Sequence, residues 1–212
     1  MNDDKTKTNT TSKDATVKEY RIMKETVTKE LDDHINIIKS LSKNLSDTIV
    51  GTSKTITDCY KDGGKVILIG NGGSASDSQH IAAELVGKFK LDRKSLPAIA
   101  LTTNTSIITA LANDYGYDTV FSRQLESLAN DKDVLIVIST SGNSPNILRA
   151  VDTAKSKNIK VVGMTGRNGG KLKNMVDILI NIPSDDTPRI QEGHITVGHI
   201  ICGLVEKELF NE

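Results

Sequence analysis

Apolar residues follow two different rhythms along this 212-residue chain. From Val17 to about Tyr60 they recur every three or four positions: Tyr20, Met23, Val27, Leu31, Ile35, Ile38, Leu41 and Leu45, then Ile49, Ile56 and Tyr60. No proline interrupts this stretch, so the spacing predicts two amphipathic helices forming an N-terminal hairpin. A long helix ahead of an α/β unit can cover its own domain or pack against a second subunit. Further on, five short and nearly unbroken apolar runs alternate with helical patterns: Val66–Ile69, Ala98–Leu101, Val134–Ile138, Val161–Met164 and Ile178–Ile182. Strands that are apolar throughout, separated by helices, indicate a parallel sheet covered on both faces. The expected architecture is α/β: a doubly wound five-stranded parallel sheet, flavodoxin-like in its order 2-1-3-4-5. One domain spans residues 17–212 and includes the helices of 17–62. Residues 1–16 are polar, with almost no apolar positions to bury, and read as a disordered tail.

In that strand order the chain reverses between strands 1 and 3, and ligands bind at the carboxyl ends of the strands there. Two polar loops converge on this point. The first is Gly70-Asn71-Gly72-Gly73-Ser74, running into a helix expected over Ala75–Phe89. The second is Ser139-Thr140-Ser141-Gly142-Asn143-Ser144, ahead of a helix starting near Pro145. Backbone N–H groups at a helix start, with hydroxyls around them, can wrap a phosphate without any arginine or lysine. Helix capping explains one of those hydroxyls, not four. The first loop also matches the loose dinucleotide pattern Gly70-x-Gly72-x-x-Ala75, with Asp92 at about the distance of a ribose-binding acid. Asp92 precedes strand 2, however, where the fingerprint acid should end it.

Composition narrows the partners. Lysine plus arginine equals aspartate plus glutamate at 27 each. That balance gives no electrostatic case for nucleic acid or an anionic membrane as the main partner. Tryptophan is absent and aromatics are scarce, against a base-stacking surface. Cys59 and Cys202 lie in helical patterns far apart, as expected of free, partly buried thiols in a cytosolic protein. No secretory signal or membrane-length apolar run is visible, so the expectation is a soluble, intracellular protein.

Acid–base chemistry has candidates on the helix after the glycine loop. His80 and Glu84, four apart, share one face of it. Near the C-terminus, Gln191, His194 and His199 flank a helix start. A His/Glu pair together with a distant Gln/His pair can bind a divalent metal. Helical geometry leaves the choice between His194 and His199 open: Gln191 and His194 share a side, and Gln191 and His199 lie about 80° apart. His34 reads as a satisfied or solvent-facing side chain.

Taken together, Gly70–Ser74, Gln79–Glu84, Asn113-Asp114, Ser139–Ser144 and Arg189–Glu192 with His199 resemble the phosphoheptose isomerases of the sugar isomerase (SIS) family. The resemblance runs from Val17 to the C-terminus. It implies a cytoplasmic homotetramer with active sites between subunits. Its reaction would convert sedoheptulose 7-phosphate to D-glycero-D-manno-heptose 7-phosphate through an enediol, opening the route to the heptose of lipopolysaccharide or related surface glycans. By the same resemblance Ser139, Thr140, Ser141 and Ser144, with Ser74, would hold the phosphate. Asn71, Gly72, Gly73, Asn113, Asp114 and Gln191 would contact the sugar. His80, Glu84, Gln191 and His199 match zinc ligands, one ion per subunit, and Glu84 and His199 match the acid/base pair. Two positions depart from the family: Lys88 stands where many members have Arg, and Pro188 where some carry an acid, a role open to Asp185 or Asp186. Non-enzymatic relatives of this fold bind the bacterial replication initiator and tend to lose the acid/base residues. Retention of Glu84, Ser141 and His199 favours an enzyme.

Overall fold

The computed structural model describes residues 7–210, with side chains from residue 16 onward. Its elements run α1 (Lys7–Asn44), α2 (Ser46–Lys61), β1 (Val66–Gly70), α3 (Gly73–Val86), β2 (Ala98–Ala100), α4 (Thr105–Tyr115), α5 (Ser122–Leu128), β3 (Val134–Ile138), α6 (Pro145–Ser156), β4 (Lys160–Thr165), β5 (Ile178–Asn181) and α7 (Thr187–Phe210). The strands pair in parallel in the order β2-β1-β3-β4-β5. This is the expected doubly wound sheet, with strand ends within a residue of those read from the apolar runs.

Successive residues of the central strands enter opposite cores, as pleating requires. Val66, Leu68, Val134, Ile136 and Ile138 face the layer of α2, α3 and α7, together with Ile56, Ile81 and Val197. Ile67, Ile69, Leu135 and Val137 face the layer of α5 and α6, with Phe121, Leu125, Ile147 and Val151. Burial on both faces is why these strands read as continuous apolar runs.

α1 begins at Lys7, inside the stretch expected to be a tail. The first six residues of that stretch lie outside the described residues. The chain has no glycine or proline before Gly51, so nothing in the sequence marks a helix start at residue 16. The two roles left open for this helix separate along its length. Leu41 and Leu45 join the core, whereas Tyr20, Met23, Val27 and Leu31 are 59–72% exposed. The first half therefore does not cover its own domain. α1 is tied to α7 by polar contacts: His34 Nδ1 lies 2.7 Å from Glu192 Oε2, and Arg189 meets both Glu30 and Glu192. His34 is thus a partnered side chain of this strut.

Candidate active site

β1 delivers the chain to Gly70, and the turn is completed at Gly72, whose φ of +56° lies in the region that favours glycine. α3 starts at Gly73, earlier than expected. It ends at Val86, also earlier, because the Arg93 guanidinium takes the carbonyls of Glu84, Leu85 and Gly87. Asn71, in the turn, is clamped by Asn146. Its Nδ2 donates to Asn146 Oδ1 at 3.0 Å, and Asn146 Nδ2 donates back to Asn71 Oδ1 at 2.9 Å. Tyr117 Oη adds a bond to Asn71 Oδ1 at 3.3 Å. Asn146 is buried in the first turn of α6, so this amide pair ties the glycine loop to the serine loop's helix.

In the serine loop, Ser144 holds the N-cap position of α6 but makes no side-chain cap bond. Its Oγ instead lies 3.3 Å from the Oγ of buried Ser139. The capping explanation fails for this hydroxyl, and the two oxygens stand together at a helix N-terminus, where an anion is favoured. Ser141 is exposed and accepts from Asn143 N–H. Thr140 and Ser141 also line a cavity of about 280 Å³ with Gly166–Gly170, Ser184, Asp185 and Thr187. The cavity's one arginine, Arg167, donates to Asp185 Oδ2 at 2.9 Å.

The acid/base candidates meet where α3 crosses α7. A Cβ on Gly198 would fall 2.7 Å from Ile81 Cδ1, so the isoleucine occupies the notch this glycine leaves. The close approach brings the neighbouring residues, His80 and His199, to 3.2 Å between their Nε2 atoms. His80 Nε2 is also 3.1 Å from Glu84 Oε1. One ligand atom from each of His80, Glu84 and His199 lies within 4.8 Å of the others. The His199 ring meets His80 edge-on and stacks on Phe89, with centroids 5.6 Å apart.

The open choice between the two C-terminal histidines is thereby decided. His199 joins the cluster. His194 is fully buried, with Nε2 against the Thr165 carbonyl at 3.1 Å, and burial pushes its pKa down to about 4. Gln191 is placed by a different contact. Its amide packs against Gly73, where a Cβ would lie 2.4 Å from Nε2, about 10 Å along the helix from His80. Gln191 therefore sits beside the glycine loop, between the phosphate-type loops and the histidines.

The remaining candidates fall as follows. Asn113 and Asp114 form an exposed pair at the end of α4, 2.8 Å from Nδ2 to Oδ1. Ser74 is buried at the start of α3. Lys88 and Asp92 are exposed in the segment between α3 and β2. That segment leads into the amino end of β2, the opposite end of a parallel strand from the glycine loop, which removes Asp92 from any dinucleotide role there. Asp186 caps α7, its carbonyl accepting from Ile190 N–H. Sequence reasoning passed over Asn146, Phe89 and Asp77. Asp77 lies one turn before His80 on the same face; its Oδ2 is buried without a hydrogen-bond partner, and burial raises its pKa against the opposing pull of His80. The i, i+3, i+7 spacing to His80 and Glu84 was the available signal.

A doubly wound sheet with two polar loops at its switch point, one rich in hydroxyls, defines a sugar-phosphate-binding domain of SIS type, and residues 31–166 match the SIS domain family. The chain is 51% identical over 181 residues to the phosphoheptose isomerase of Citrifermentans bemidjiense, covering 85% of this chain and 94% of that one. It is 59% identical over 170 residues to that of Burkholderia pseudomallei, covering 78% and 86%. The solved phosphoheptose isomerase of Neisseria gonorrhoeae superposes with a TM-score of 0.83 at 41% identity, covering 87% and 99%. The chain belongs to the phosphoheptose isomerase family of SIS-domain proteins.

Proposed function

We propose that the protein is the aldose–ketose isomerase that converts sedoheptulose 7-phosphate to D-glycero-D-manno-heptose 7-phosphate. The observation that carries this reading is the His80–Glu84–His199 cluster, formed where the helix that issues from the switch-point loop crosses α7. The phosphate seats on Ser139, Thr140, Ser141 and Ser144 at the start of α6, with Ser74 opposite. The sugar extends along α3 past Asn71, Gly72, Gly73 and Gln191 toward the cluster, with Asn113 and Asp114 contributing from α4.

Isomerisation then needs two proton carriers. Glu84 takes the proton from C1, and the C–H electron pair becomes the C1=C2 bond. His199 gives a proton to the C2 oxygen, completing the enediol. The imidazole then accepts the proton of the C1 hydroxyl while Glu84 returns a proton to C2, leaving the aldehyde at C1. Glu84 Oε1 faces His80, so Oε2 is the oxygen for the carbon-bound proton.

The donor set also suits a metal. Two imidazole nitrogens and a carboxylate within 4.8 Å of one another are the three protein ligands of an open zinc site. The 3.2 Å approach of two ring nitrogens needs a shared proton or a shared cation between them. His80, Glu84 and His199 would hold one Zn²⁺ per subunit, with Gln191 reaching in from the glycine loop. A zinc ion there supplies Lewis-acid polarisation of the substrate oxygens.

We assign the protein to the cytoplasm, at the first step of heptose supply to lipopolysaccharide or related surface glycans. Among the described residues no helix is long and apolar enough to cross a membrane. The exposed apolar face of α1 and the absence of buried residues on α4 support a homotetramer with active sites between subunits. The test is incubation of purified protein with sedoheptulose 7-phosphate in D₂O, followed by NMR. The aldoheptose 7-phosphate should appear with deuterium at C2. No product, with or without added zinc, overturns the reading.

A further inference from the structure

The segment between α3 and β2 carries no residue of the proposed chemistry, yet it is held by a buried ionic hub. Glu206 lies seven residues after His199 on α7 and hence on the same face. Its carboxylate accepts three consecutive backbone N–H groups: Phe89 at 3.2 Å, Lys90 at 2.8 Å and Leu91 at 3.0 Å. The Arg93 Nε donates to the same carboxylate at 3.0 Å, and both side chains are nearly sealed from solvent, 3% and 2% exposed. The other end of the Arg93 guanidinium donates to the carbonyls of Glu84 and Leu85 at 2.9 and 2.8 Å. One hub therefore pins the end of the helix bearing Glu84 and the backbone of Phe89.

Phe89 transmits that fixation. Its ring lies over Gly203, where a Cβ would come within 3.3 Å of Cε1, and it stacks on His199 at 23° between planes. His80 closes the imidazole's other approach edge-on. Centroids 5.6 Å apart fall within the range of favourable aromatic pairs. An imidazole on an exposed helix face has a free χ2 rotation; here a ring anchored through its own backbone removes it.

We propose that Phe89, fixed by the buried Glu206–Arg93 pair, is a positioning residue that sets the plane of the His199 imidazole, and that the 89–93 segment is the element that aligns the proton carriers. The proposal rests on the isomerase reading of His199. Its reach to Glu84 comes from the same arginine, so the two carriers are registered against a single fixed point.

The test compares Phe89→Leu and Phe89→Tyr in the full-length protein. Two readouts are used: steady-state turnover of sedoheptulose 7-phosphate and the ring proton signals of ¹³C-labelled histidine, with His199 assigned by His199→Gln. In the wild type the His199 signal should be displaced by the ring current of Phe89. Phe89→Leu should abolish that displacement and lower kcat by roughly 10–100-fold, with KM within about twofold. Phe89→Tyr should restore both. Glu206→Gln, which loosens the hub without touching the stack directly, should move both readouts in the direction of Phe89→Leu. An undisplaced His199 signal in the wild type overturns the proposal, as does full kcat in Phe89→Leu once the displacement is lost. If the wild type itself does not turn over sedoheptulose 7-phosphate, the isomerase reading fails, and the histidine signals still judge the positioning.

Discussion

Replacing Asn146 by alanine cuts a two-bond side-chain tie between the glycine loop and α6. Asn146 gives Asn71 two hydrogen bonds of 3.0 and 2.9 Å and is itself buried, so the variant loses both bonds and strands the Asn71 amide nitrogen. At about 0.5–1.5 kcal/mol net per bond, the loss is roughly 1–3 kcal/mol. For a chain of this size that lowers Tm by roughly 2–12 °C. The functional effect follows from where Asn71 sits: the loop that should meet the sugar is no longer fixed relative to the loop that should meet the phosphate. If the same energy is drawn from substrate positioning, kcat/KM falls by about 5–150-fold. Both numbers come from one preparation, by differential scanning fluorimetry and a coupled assay for the aldoheptose. A variant that loses Tm as predicted but keeps kcat/KM within about twofold would refute the assignment of Asn71 to the site.

Three further outcomes follow from other parts of the molecule. His194 is buried neutral with its pKa held at about 4, below its unfolded value near 6.5, so the unfolded chain binds the extra proton first. Its contribution is therefore intact above about pH 6.5 and is lost as pH falls toward 4, up to about 3 kcal/mol; Tm against pH should be flatter in His194→Gln than in the wild type. Wild-type protein purified without chelator should carry about one zinc per chain by metal analysis, and His80→Ala should carry far less, with the fold unchanged by circular dichroism. Leu31→Asp on the exposed face of α1 should leave Tm of the domain core nearly unchanged but reduce the proposed tetramer to smaller species in light scattering.

What the sequence exposed and what it concealed divide along a physical line. The central strands were visible because burial on both faces leaves no polar residue in Val66–Ile69 or Val134–Ile138, and the half-buried edge strands β2 and β5 were visible from their short apolar runs. The two loops were visible because glycines and hydroxyls cluster directly between a buried strand and a helix start, at the carboxyl ends of strands β1 and β3. His80, Glu84 and His199 lie together in the structure. Spacing alone did not choose His199 over His194, and only the family resemblance did, because the choice depends on the Gly198 notch filled by Ile81, a contact between residues 117 positions apart that periodicity does not encode. In sequence Asn146 passes for an ordinary polar residue in the first turn of a helix. The Arg93–Glu206 pair joins residues 113 apart, and in sequence each passes for an ordinary surface charge.

The proposed phosphate seat at Ser139–Ser144 offers hydroxyls and backbone amides, and Arg167, which lines the adjoining cavity, is paired with Asp185. The chain as a whole carries no net charge. A chain without net charge supplies no long-range monopole field to draw an anionic sugar phosphate in. Capture by a seat of hydroxyls and backbone amides should therefore depend only weakly on ionic strength, because the seat itself offers salt no unpaired cation to screen.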